Sequence, residues 1–214
     1  MCRLARPAYV VLLAVLALPA LAAEAEWEAT AAVGFGLYHP VSYSAPAGPA
    51  EAGIGPRYIL NAVGGRNLGS HFLLEAGWMF QDGDFELHAN GTKTAFDAHA
   101  HSVYVNVVGY LLKRPTRLRP FVEAGSGVKF YTGQEAEHPR PLDQYGMFRD
   151  GTDARPLLTY GGGIKYTLSP RWSLRLDLRD VTTPFPTTVI VPAPGSNLHG
   201  WLHDFATTLG ITFR

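Results

Sequence analysis

The stretch Trp172-Ser173-Leu174-Arg175-Leu176-Asp177-Leu178-Arg179 alternates without exception. Trp172, Leu174, Leu176 and Leu178 fall on one side, and Ser173, Arg175, Asp177 and Arg179 on the other. A period of two puts successive side chains on opposite faces of a β-strand. On a helix, at 3.6 residues per turn, the same leucines would scatter around the cylinder. The alternation recurs at both ends of the chain. Trp27, Ala29, Ala31, Val33, Phe35 and Leu37 oppose Glu28, Thr30, Ala32, Gly34 and Gly36. Phe205, Thr207, Leu209, Ile211 and Phe213 oppose Ala206, Thr208, Gly210 and Thr212.

Five further strands are predicted over Pro56 to Arg66, His71 to Asp82, Ala98 to Lys113, Arg119 to Tyr131 and Leu157 to Thr167. In the first of these, Tyr58, Leu60 and Ala62 compete with Ile59 and Val63 for the apolar face. Most of the eight exceed the roughly 9–11 residues with which a tilted strand crosses a bilayer. Asn67 to Ser70, Arg114 to Leu118 and Leu168 to Pro170 are tight connections with Gly or Pro. His39 to Gly55, Gly83 to Asp97, Thr132 to Pro156 and Pro184 to Leu198 are long ones. Short turns alternating with long loops are the layout of an outer-membrane barrel, periplasmic below and extracellular above.

Outward aromatics form two belts. Trp27, Phe72, Tyr166, Trp172 and Phe213 lie near the turns; Phe35, Tyr58, Trp78, Phe80, Phe130, Tyr160 and Phe205 lie near the loops. The charged face also carries Gly34, Gly36, Gly77, Gly125, Gly127, Gly161, Gly163 and Gly210, small residues suited to a crowded interior. Arg or Lys facing lipid at the midplane costs about 2–4 kcal/mol, so this face belongs inside. A soluble barrel would turn its apolar face inward instead. The expected fold is all-β: an eight-stranded antiparallel up-and-down transmembrane β-barrel over residues 24–214, with four long extracellular loops and both termini periplasmic.

Residues 1–23 read as a signal peptide, cleaved after one of residues 22 to 25. Arg3 and Arg6 precede an aliphatic run from Tyr9 to Leu18, and Ala20-Leu21-Ala22 and Ala23-Glu24-Ala25 offer small-x-small sites. Basic and acidic residues number 18 each, which gives no electrostatic footprint for nucleic acid. Loss of Arg3 and Arg6 leaves 16 basic against 18 acidic residues, a net of −2. It also removes Cys2, the one cysteine, so no disulfide is expected. The 47% hydrophobic content excludes a disordered chain, and there is no set of apolar runs for a multi-helix membrane protein.

Four stretches carry a family resemblance: Tyr104-Val-Asn106-Val-Val-Gly-Tyr110, Arg119-Pro-Phe-Val-Glu-Ala-Gly-Ser-Gly127, Arg175-Leu-Asp-Leu-Arg179-Asp180, and Leu209-Gly-Ile-Thr-Phe213-Arg214. On these the chain from Glu26 to Arg214 resembles the eight-stranded outer-membrane barrels that include the transmembrane domain of OmpA-type proteins. The resemblance implies insertion by the barrel-assembly machinery and contact with outer-membrane lipid. That machinery reads a terminal aromatic in the family; here Phe213 is penultimate and Arg214 last.

For chemistry, the inward face places Glu75, Glu123 and Asp177 with Lys129, Lys165, Arg175 and Arg179, and Asp204 and Arg57 near the upper rim. Charges in a nearly dry lumen should pair, which predicts a structural ion-pair network. Its rival is a narrow pore gated by exchange of partners. Asp97, His99 and His101 share a strand face and are weak metal candidates, whereas His199 and His203 flank Trp201 as a polar rim. Ser102, Ser126, His101 and Glu123 could supply a hydrolase triad only if the fold brought them together. Asn90-Gly91-Thr92 matches a glycosylation sequon by coincidence. Loop 132–156, with Glu135, Glu137, His138, Arg140, Asp143, Tyr145, Met147, Phe148 and Arg149, is the candidate surface for an extracellular ligand. The apolar Val189-Ile190-Val191 is expected to pack over the barrel mouth or touch lipid. The expected role is structural or surface-interacting, without cofactor, with a narrow channel and a lipid-modifying enzyme as alternatives.

Overall fold

The computed structural model describes residues 27–133, 142–198 and 200–214. The expected signal segment, the tract 134–141 with Glu135, Glu137, His138 and Arg140, His199, and the side chain of Arg57 lie outside these residues. Fourteen strands follow in order: β1 Trp27–His39, β2 Val41–Ala45, β3 Gly48–Ile54, β4 Arg57–Leu68, β5 Phe72–Asp82, β6 Phe85–Ala89, β7 Thr92–Phe96, β8 Ala98–Tyr110, β9 Leu118–Gly133, β10 Gly146–Phe148, β11 Gly151–Thr167, β12 Trp172–Pro184, β13 Ile190–Pro192 and β14 Trp201–Phe213. Eight of them close a barrel in the order β1-β14-β12-β11-β9-β8-β5-β4, every pair antiparallel. The first and last strands complete the ring, with Ala29 opposite Phe213 and His39 opposite His203.

Alternation decides which side of the wall each residue takes. Val33, Phe35, Leu60, Phe72, Val105 and Leu209 point outward and are two-fifths or more exposed. An apolar surface continuous around the wall is far larger than a water-facing monomer tolerates, so the wall is built for lipid. Trp27, Phe72, Tyr166 and Trp172 stand on the outward face near the turns; Phe35, Tyr58, Tyr160 and Phe205 stand near the loops. In β4, Tyr58 and Leu60 face out while Ile59 and Val63 are buried inside, which settles the register that the sequence leaves open. The strand expected from Leu157 begins earlier, at Gly151, because β9 and β11 stay paired up to Gly133 opposite Gly151. Conversely, β8 stops at Tyr110 rather than Lys113, and Leu111 and Leu112 are exposed in the turn.

The described parts of the long connections are not open polar loops. The first two fold into a four-stranded sheet, β2-β3-β6-β7, and the last two meet through the β10-β13 pair. Asn90 and Gly91 both have positive φ, 49° and 72°. That is the geometry of a two-residue hairpin turn whose twist matches its strands. Asn90-Gly91-Thr92 therefore has a structural role: it joins β6 to β7.

Candidate functional site

The lumen is filled in layers. Nearest the turns, Glu28 of β1 accepts hydrogen bonds from Lys165 Nζ, from Asn67 Nδ2 at 3.3 Å and from Arg214 Nε at 3.2 Å. Arg114 Nη2 donates to Asn67 Oδ1 at 2.5 Å. The Arg119 guanidinium carbon lies over the Tyr110 ring at 3.7 Å, and the side chain donates to the backbone carbonyls of Leu112 and Ser70, tying two turns together. Leu73, Val108, Tyr110 and Phe121 form an apolar cluster at this level.

The next layer holds two cations and three carboxylates. Arg175 binds Glu75 through both terminal nitrogens, reaches Glu123 Oε2 at 3.2 Å, and donates from Nε to Asp177 Oδ1 at 3.0 Å. Arg179 meets the same Asp177 oxygen at 3.0 Å and Glu123 Oε1 at 3.1 Å. Phe121 lies beneath Arg175 at 4.6 Å and Tyr104 beside Arg179 at 5.3 Å, so ring faces complete the cation shell. Asn106 donates to Glu123, and Tyr104 donates to Asn61 at 2.7 Å. No member of this group exceeds 4% exposure. Desolvation makes such charges costly singly and tolerable only as a bonded set.

Ile59, Val63, Met79, Leu157, Val181 and Ala206 form an apolar layer. Lys129 belongs to a third polar layer. Its Nζ donates to Asp204 Oδ2 at 2.8 Å and Tyr38 Oη at 2.8 Å; Tyr38 donates to Gln81, which also donates to Asp204. Of the seven expected lumen residues, five therefore meet in one cluster, while Lys165 and Lys129 serve separate layers with Glu28 and Asp204. Glu28, Arg119, Asn61, Asn106, Gln81 and Tyr38 were not singled out from the sequence. Glu28 stands among small residues in an otherwise uncharged first strand, Asn106 and Arg119 fall in two of the stretches that carry the family resemblance but have no role from it, and the others carry no motif.

Above the lumen sits a lid whose apolar core, including Tyr43, Phe85, Leu87, Phe96, Tyr145 and Val189, also takes in Ala98, Ala100, Tyr131 and Leu202 from the upper ends of barrel strands. Tyr145 pins three connections: its carbonyl accepts from Tyr43 Oη at 2.9 Å, its hydroxyl donates to Ala47 O at 3.2 Å, and Asn90 Nδ2 donates to that hydroxyl at 2.5 Å. Burial pushes the Tyr43 phenol up to about 12. Phe148 stacks on Phe96 at 5.5 Å and on Phe85 at 6.3 Å. Val189 and Ile190 are buried in this core, so that segment packs over the barrel mouth rather than against lipid. Where lid meets lumen, Tyr38, Gln81, Phe85 and Tyr131 line a void of about 10 Å³, room for one water at most.

A carboxylate in the lid core should break the lid and leave the layers of the lumen below it in place. Val189→Asp is expected to expose the long connections to proteinase K in detergent micelles, at least tenfold faster than wild type. The barrel band should stay protected and keep its heat-dependent gel mobility. An unchanged digestion rate would mean that the lid core holds nothing in place.

The hydrolase candidates do not converge: Ser102 and Glu123 face the lumen, while His101 and Ser126 face outward through the same wall. His99 and His101 stand 5.3 Å apart edge to face, packed with Trp78 and Phe80 in the outer aromatic belt. Among the described residues no group of three or more His, Cys, Asp or Glu is arranged for a metal ion. On the outer wall near the loops, Asp180 accepts from Tyr160 Oη at 2.6 Å and pairs with His203 Nδ1 at 2.7 Å. This covers a carboxylate that strand parity turns toward lipid.

No family model matches this chain, and no curated protein does. Solved structures share its fold. Neisserial surface protein A has a TM-score of 0.57 at 10% identity, over 88% of this chain and 97% of its own. The outer membrane protein OprG of Pseudomonas aeruginosa gives 0.53 at 9% identity, over 87% and 94%. The outer membrane protein AlkL, solved in lipid bilayers, gives 0.50 at 16% identity, over 90% and 92%. At such identities the likeness is one of fold. The chain has the closed eight-stranded barrel fold of small outer-membrane proteins.

Proposed function

We propose that this chain is a small outer-membrane protein of a Gram-negative-type envelope, with a structural or surface-interaction role. The signal segment exports it, and the barrel-assembly machinery inserts it into outer-membrane lipid. Both termini face the periplasm, and the lid faces the outside. One observation carries the reading: the lumen is closed at every level, by three bonded polar layers, by apolar layers between them and by the folded lid. A conducting path would require all of these to rearrange together. The lid is then the part available to an extracellular ligand. Residues 142–156 of the candidate surface 132–156 contribute to it through Tyr145, Met147, Phe148 and Arg149.

Purified mature protein in a planar bilayer tests the closed lumen. The expected result is no discrete conductance step between −100 and +100 mV, about the span of ordinary membrane potentials. Reproducible steps that change on Glu75→Gln would replace this reading with the gated narrow channel.

A further inference from the structure

The turn end combines two features that a water-facing surface does not need together. Leu68, Leu111, Leu112, Leu118 and Leu168 lie at or beside the three turn tips and are 45–64% exposed. They stand just beyond the aromatic belt of Trp27, Phe72, Tyr166 and Trp172, so the apolar wall runs on into the turns. Between these leucines stand Arg66, Lys113, Arg117 and Arg171, all exposed. Arg66 lies over the Trp27 ring at 5.8 Å, and among the described residues no carboxylate pairs with Lys113, Arg117 or Arg171. Among the described residues the acidic side chain at this end is Glu28, which is buried and already committed to Lys165 and Arg214. Among the described side chains the loop end carries the opposite sign, with Glu51, Asp84, Glu86, Asp143, Asp150 and Asp153 against Lys93, Arg149 and Arg155.

Long basic side chains beside exposed leucines suit one environment. The leucines enter the acyl boundary, and the cations extend to phosphates at the headgroup level. We infer that the turn end is a binding surface for anionic glycerophospholipid headgroups, with Lys113, Arg117 and Arg171 as its phosphate contacts and the turn leucines as its anchors. This rests on the outer-membrane reading above. It adds that the turns lie within the headgroup layer rather than projecting into water, and that the leaflet they touch is selected by charge.

The test counts lipids retained on the folded protein by native mass spectrometry. The protein is released from vesicles of phosphatidylcholine mixed with phosphatidylglycerol. Wild type should retain phosphatidylglycerol over phosphatidylcholine. The triple variant Lys113→Gln/Arg117→Gln/Arg171→Gln should weaken that preference tenfold or more, on the order expected for three surface cations. Lys93→Gln, at the opposite end, should leave it unchanged. Leu111→Ser/Leu112→Ser should lower retention of both lipids. Equal retention of the two headgroups by wild type overturns the proposal, as does a triple variant that keeps its preference. Capture of polyglutamate without headgroup preference also overturns it and assigns the surface to an acidic protein. Heat-dependent gel mobility in the same vesicles separates the two failures. A chain that inserts but shows no preference refutes only this inference, whereas one that never inserts refutes the outer-membrane reading with it.

Discussion

Arg175→Met is expected to unfold at much lower urea than wild type, losing about 3–5 kcal/mol of stability in the same micelle. Arg175 is 1% exposed and is the common partner of Glu75, Glu123 and Asp177. Its removal leaves Glu75 with no cation and Glu123 and Asp177 with Arg179 alone. Methionine keeps much of the side-chain volume, so lost packing is not the main cause. Against a total stability of about 5–15 kcal/mol, the loss is a large fraction. Adding Glu75→Gln to the variant removes one stranded charge and should recover part of it, about 1–3 kcal/mol, because the two residues act as a unit. The midpoint is read from the fraction of heat-modifiable, unboiled band across a urea series. Coincident midpoints for wild type and Arg175→Met would show that the layer contributes no net stability.

Gly163→Val should prevent the barrel from closing at all. A Cβ built on Gly163 would lie 2.0 Å from the carbonyl oxygen of Leu176 and 2.6 Å from the Phe121 ring. The ring could turn, but the carbonyl belongs to the β11–β12 ladder, where Gly163 stands opposite Asp177. Relieving that contact breaks strand pairing next to the Arg175 layer. The cost exceeds the roughly 1–3 kcal/mol of ordinary overpacking. The expected result is a chain that stays aggregated and shows no mobility shift on boiling. Gly64→Val is the matched control: nothing lies within 4 Å of its added Cβ, and it should fold. A normal mobility shift for Gly163→Val would show that the wall can move aside there.

These two sites also show what could be read from the sequence. Around β12, outside and inside differ as sharply as leucine and arginine, so period two names both faces. In β4 it cannot, because Ile59 and Val63 belong to the apolar layer inside the lumen and lipid lies outside. Both faces are apolar there, and only the paired neighbours set the register. At the top of β11 the wall rises above the lipid band. Gly151 to Pro156 lack the outward apolar residues that would reveal the strand. The lid was legible in one place. Phe85, Leu87 and Ala89 alternate before Asn90-Gly91, which is a hairpin signal in its own right. Its other pieces are too short to show a period, and their burial depends on loops far apart in the chain. The charged lumen residues followed from strand parity. Their partition into layers did not, because it depends on the stagger between strands.

The pairing of β1 with β14 has a consequence for how the molecule comes into being. Seven of the barrel pairs join barrel strands that succeed one another along the chain, whereas the eighth joins the first to the last, with Ala29 opposite Phe213. Until that last seam forms, the sheet has two raw margins of unbonded amides in a medium that cannot satisfy them. The partly built sheet therefore has no comfortable resting state in lipid, and closure is the step that commits the chain. Arg214, bonded to Glu28 as the last residue reaches the first strand, then works as the clasp of the ring.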